Sequence, residues 1–118
     1  MEDVRLEKLH GSSNWTMWKF QIVIVLKSVD LYTIVDGSQK KPEQRGGGDA
    51  EMTAYLKRLG EWEKADIKAQ RIIVTAVDQT VMKFLICCKS AADMWTKLVT
   101  LHEFKSATSI HLLQQQFY

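Results

Sequence analysis

An all-α bundle of about five to six helices, preceded by a short extended arm, is the fold this sequence predicts. Three observations predict it. Apolar residues recur three and four positions apart around each of the tryptophans Trp15, Trp18, Trp62 and Trp95, which is the period of a helix with one buried stripe. The only proline, Pro42, lies in a polar loop, so no helical pattern is interrupted. The compact apolar run Val81 to Cys88, whose length and β-branched content would also admit a strand, has no partner strand in sight. At 118 residues the chain is the size of one domain, and 1–118 is read as one, with 1–13 as the arm and 38–49 as a flexible loop.

In chain order, Val4, Leu6 and Leu9 alternate well enough for an extended arm. Gly11-Ser12-Ser13-Asn14 then supplies side chains that cap a helix start. Trp15, Trp18, Ile22, Leu26 and Val29 form the apolar face of a first helix, and Met17, Ile24 and Val25 widen it, so this helix is expected to be largely buried. Asp30 is expected to cap a short helix from Leu31 to Val35, which Asp36-Gly37 ends. From Ser38 to Gly48 no apolar side chain occurs, and three consecutive glycines close the run. Asp49 is read as the cap of a long helix carrying Met52, Tyr55, Leu56, Leu59, Trp62, Ala65, Ala69, Ile72, Ile73, Ala76 and Val77 at helical spacing. Gly60 weakens its middle, which leaves two helices meeting there as an alternative.

Val81 to Cys88 is taken as a short helix. Ser90 with Asp93 approximates a capping box before a helix from Ala91 to Glu103, whose buried face is Met94, Trp95, Leu98 and Leu101. Ser106 or Thr108 begins a last helix through Phe117, and its lack of a stop signal suggests a chain cut before a second helical domain.

Composition is ordinary for a packed protein, at 46% apolar and 25% charged, and a net charge of +2 names no partner. The longest uncharged apolar stretch, Phe20 to Leu26, is far too short to cross a bilayer, and Met1-Glu2-Asp3 opens no secretory signal, so no membrane and a cytoplasmic location are expected. Cys87 and Cys88 are adjacent, unsuited to a mutual disulfide, and read as reduced, buried small hydrophobes. His10, His102 and His111 have no metal-ligand spacing. Gly46-Gly47-Gly48 precedes Asp49 rather than a lysine and a hydroxyl residue, so it is no phosphate loop. Glu61, Glu63 and Asp66 beside Lys64, Lys68 and Arg71 read as i, i+4 pairing on a solvated face. No nucleophile with its base, metal or cofactor site emerges, so no enzyme is expected. The basic residues Lys40, Lys41 and Arg45 are the candidate contact to RNA.

The order Leu9-His10-Gly11-Ser12-Ser13-Asn14-Trp15-Thr16-Met17-Trp18-Lys19, followed by Leu26 and Leu31-Tyr32-Thr33-Ile34-Val35-Asp36-Gly37, resembles the start of Gag polypeptides from Copia-type LTR retrotransposons. Trp62 with Asp66, Ala69 and Ile72-Ile73 is similar to that family's Trp-x-x-x-Asp-x-x-Ala helix. Ala91 to Leu98, with Met94 and Trp95, is similar to its Ala-x-x-(Met/Leu)-Trp-x-x-Leu helix, and Ser106 to Leu113 resembles the next. Only Glu51 to Gly60 departs, being longer and more helical than the family pattern. The resemblance makes Gly11, Asn14, Trp15, Trp18, Gly37, Trp62, Trp95 and Leu98 motif residues. It implies a fold like the N-terminal domain of retroviral capsids, self-association into pentamers or hexamers, and particles that enclose RNA bound mainly through a downstream region. A domesticated adaptor that binds a host protein without forming particles is the other function it allows.

Overall fold

The computed structural model describes residues 7–104, and among them are five α-helices and no named strand. They are α1 (Trp15–Ser28), α2 (Tyr32–Val35), α3 (Asp49–Thr75), α4 (Gln79–Met82) and α5 (Ala91–Val99). A 3-10 turn, Ser12–Asn14, leads into α1, and a π-helical segment, Thr100–Phe104, continues α5. The predicted last helix lies outside the described residues.

The arm enters in extended form. Leu9 pairs with the backbone just past α3, donating to the Ala76 carbonyl at 2.9 Å and accepting from the Asp78 N–H at 2.9 Å. Its side chain is fully buried. Asn14 does not cap α1; its amide turns back, accepting from the His10 N–H at 3.2 Å and donating to the Lys8 carbonyl at 3.0 Å. The turn between arm and helix is held by that one side chain.

The core joins one stripe of α1 to α2, the second half of α3, and α5. Trp15, Trp18, Ile22 and Leu26 are the buried stripe of α1. The expected widening fails at Met17 and Ile24, while Val25 is half-buried: Met17, Phe20 and Ile24 line a second apolar face, exposed by 69%, 68% and 52%, and Val29 is also exposed. Asp30 caps nothing. It adopts φ of 60°, a left-handed conformation that a short polar residue tolerates, and α2 starts two residues later without a side-chain cap. Gly37 then takes φ of 87°, and the Asp36 carboxylate accepts from the Ser38 N–H at 2.8 Å, so the turn after α2 forms as expected.

α3 is one helix running straight through Gly60. Gly48, in extended conformation, is its N-cap, and Asp49 is its first residue, where with Glu51 its charge meets the positive end of the helix dipole. Only Asp66, Ala69 and Ile73 of this helix are buried. Within Val81 to Cys88 the helical part ends at Met82, and the rest is turn. The Asp78 carboxylate caps α4 by accepting from the Val81 N–H at 3.1 Å. Cys87 is exposed rather than buried and Cys88 is half-buried; both are free, and burial pushes the Cys88 thiol pKa up, with the Asp93 charge adding to it.

Candidate interaction site

α5 is positioned from both ends. At its start the Ser90 hydroxyl accepts from the Asp93 N–H at 3.1 Å, as the capping pattern predicts. A carboxylate from α3 also takes part. Asp66, read from sequence as a member of a solvated charge face, is 5% exposed and accepts from the Ala91 N–H at 2.9 Å and from the Gln70 amide at 2.7 Å. A buried carboxylate aimed at the free N–H groups of a helix start satisfies both partners at once. This links α3 to α5 and explains why the aspartate stands one turn after Trp62 and three residues before Ala69. A carboxylate in an amphipathic helix gives no sign in sequence of which neighbour it will meet.

At its other end α5 passes into the π-helical segment, which turns His102 rather than Leu101 into the core. The His102 Nδ1–H donates to the Leu98 carbonyl at 2.8 Å, because a ring nitrogen facing a carbonyl must carry the proton. Its ring lies 4.9 Å from that of Trp15 at an angle of 16°. Trp15 stacks on Trp18 at 5.6 Å, and Trp18 on Trp95 at 6.3 Å, while Tyr32 meets Trp95 edge-on. Such offset and edge contacts are the favourable ones for aromatic quadrupoles. Trp18 is anchored by an indole N–H bond of 2.7 Å to the Ala76 carbonyl. At the rim, Glu103 accepts from the Trp15 indole at 3.2 Å and from the Lys19 ammonium. The Lys19 hydrogen bond holds the Glu103 carboxyl below its usual range, against partial desolvation, with the Lys19 charge and the Trp15 bond assisting.

Of the motif residues, Trp15, Trp18, Trp95 and Leu98 therefore meet in one core. Gly11 and Asn14 stand at the arm turn, and Gly37 ends α2. Trp62 is half-buried and packs against the edge of that core, its indole donating to the Gln39 carbonyl at 3.1 Å, so it ties the polar loop to α3. That loop gathers Lys40, Lys41 and Arg45 around an open cavity of about 410 Å³, with Pro42, Glu43 and Arg58 completing its lining. Arg58 was not legible as part of this cluster, since it is one of several charges on a long helix.

Three features of the outward surface can bear contacts. The exposed stripe Met17, Phe20 and Ile24 runs along α1. The basic cluster lies at the loop. A groove of about 570 Å³ separates the end of α1 from the second half of α3. Among the described residues no helix is long and apolar enough to cross a membrane, and no three of His, Cys, Asp and Glu are grouped as metal ligands.

No curated protein and no solved structure matches this chain. A family model described as the gag-polypeptide of LTR copia-type matches residues 22–118. The match takes in Gly37, Trp62, Asp66, Ala69, Trp95 and Leu98, among them the Asp66 that ties α3 to the start of α5, and begins after the Asn14-Trp15-Thr16-Met17-Trp18 segment. The chain belongs to the gag-polypeptide family of copia-type LTR elements.

Proposed function

We propose that this chain is a structural, non-enzymatic capsid domain that assembles with copies of itself, as pentamers or hexamers, into cytoplasmic particles enclosing RNA. Membership of the copia-type Gag family carries the reading. The α1 surface supports it: Met17, Phe20 and Ile24 recur at i, i+3 and i+7, so they form a continuous apolar stripe on a helix whose opposite side is already packed. A domain that repeats such a stripe around a symmetry axis gains stability by summing weak contacts.

Sedimentation velocity and negative-stain microscopy, with and without added RNA, test assembly. Phe20→Asp is expected to abolish particles while leaving the helical circular dichroism intact. Persistent monomers of the wild-type protein at every concentration and salt would sink the proposal. RNA contact by Lys40, Lys41 and Arg45 is tested separately. Replacing all three by Ser is expected to lower RNA retention, most visibly at low salt, because such contacts are steeply salt-dependent. The adaptor reading draws support from the groove between α1 and α3, and it predicts a protein that stays monomeric yet retains a protein partner.

A further inference from the structure

We infer that the groove between the end of α1 and the second half of α3 binds a short amphipathic segment of a partner protein, apolar on one face and bordered by carboxylates. The inference does not depend on particle assembly and holds for an adaptor equally.

The floor comes from two directions. Val29 and Leu31 close the end of α1, and Ala65 and Ile72, two turns apart, face them from α3. Val29 is 50% exposed, so the apolar surface is open to a ligand. A volume of about 570 Å³ lies within the range of pockets that hold several apolar groups.

The walls supply the selectivity. Lys64, Lys68 and Arg71 all line the groove and all are exposed, against the single carboxylate Glu61. The i, i+4 pairing expected of this face does not form. Among the described residues the one lysine or arginine ion pair is Lys19 with Glu103, and it does not involve the groove. Among the described residues these three cations thus have no ionic partner at the edge of an apolar floor, where their methylene stems extend it and their heads can meet negative charge. An amphipathic helix laid in a groove meets both demands, inserting apolar anchors below and presenting carboxylates at its sides.

The alternatives fit less well. A nucleic-acid backbone would use the cations and leave the apolar floor without a partner. A second copy inserting its α1 stripe would bring Lys27 and no carboxylate against the rim, since α1 has no acidic residue.

The experiment uses fluorescence anisotropy of labelled peptides about four turns long. One carries Leu at i, i+3, i+4 and i+7 with Glu alongside, the second replaces each Glu by Lys, and the third replaces each Leu by Ser. The first is expected to bind this protein about tenfold or more tightly than either of the others. Replacing Lys64, Lys68 and Arg71 together by Glu should reverse the preference to the Lys peptide, and Val29→Ser should weaken the Glu peptide, both with unchanged circular dichroism. Equal binding of the Glu and Lys peptides, equal binding of the Ser peptide, or indifference to the charge reversal would each overturn the proposal. So would wild-type self-association that the charge reversal abolishes, because the occupant would then be a second copy. Loss of particles in Phe20→Asp with peptide binding retained would separate this site from assembly.

Discussion

The two halves of α3 share one helix and one kind of apolar spacing, yet they live in different surroundings. From Asp49 to Gly60 no residue is buried, and Met52 and Leu56 face solvent. From Glu61 to Thr75, Asp66, Ala69 and Ile73 are buried against α2 and α5. The first half is supported locally, by Ala, Leu, Lys and Arg residues that favour helix and by Asp49 and Glu51 at the positive end of the dipole. The second is supported by its neighbours. Apolar periodicity therefore reports a face able to pack, and only the tertiary arrangement decides whether something packs on it.

That contrast can be broken or sharpened by substitution. Trp18→Ala, on the packed side, removes a ring that is 2% exposed together with its bond to Ala76, and a loss of about 3–5 kcal/mol in urea unfolding is expected. The matching change at Leu56, 55% exposed, should stay within about 0.5 kcal/mol, and a comparable loss there would erase the distinction. Asp66→Ala leaves the Ala91 N–H without its partner, at a cost of about 1–3 kcal/mol, with hydrogen exchange accelerating in the first turn of α5. Gly60→Ala should act in the opposite sense. A Cβ there meets nothing within 4 Å, so α3 should gain about 0.5–1 kcal/mol, read as a higher Tm and slower exchange on the outer half.

The smallest effect is one of pH. Glu103 is held below its ordinary carboxyl value of 4.5 in the folded chain, so its contribution is complete above that value and is lost as pH falls through the lowered one. Asp36, lowered by its Ser38 hydrogen bonds, titrates in the same direction. The Glu103 share, about 0.5 kcal/mol for so accessible a pair, is therefore the difference between wild type and Glu103→Gln across that window. Urea unfolding at pH 7 and pH 3 measures it, and equal acid sensitivity in the two proteins would refute the assignment.

The helical class, the tryptophan core and the Ser90 cap were legible because each rests on local spacing or on a side chain reaching its own backbone. Three kinds of feature were not. α1 is apolar around most of its circumference, and periodicity could not choose which side meets the core, so Met17 and Ile24 were placed inside. Asp66 and His102 gain their roles from residues far along the chain or from a change of helical pitch, neither of which leaves a local mark. The basic loop residues could be named, but their neighbour Arg58 depended on how the loop folds back, which the Trp62 bond to Gln39 governs.

The Ala76 carbonyl receives both the Leu9 N–H and the Trp18 indole, the latter across 58 positions of sequence. Two parts of the chain made early are thus finished by a group made much later. During synthesis at roughly 5–20 residues per second, α1 leaves the ribosome several seconds before residue 76 and waits longer still for Trp95. Its tryptophans spend that interval uncovered, alongside the stripe that stays uncovered in the finished fold. On a polysome, where neighbouring nascent copies are close together, α1 thus shows apolar surface on both of its sides until the later helices cover one of them.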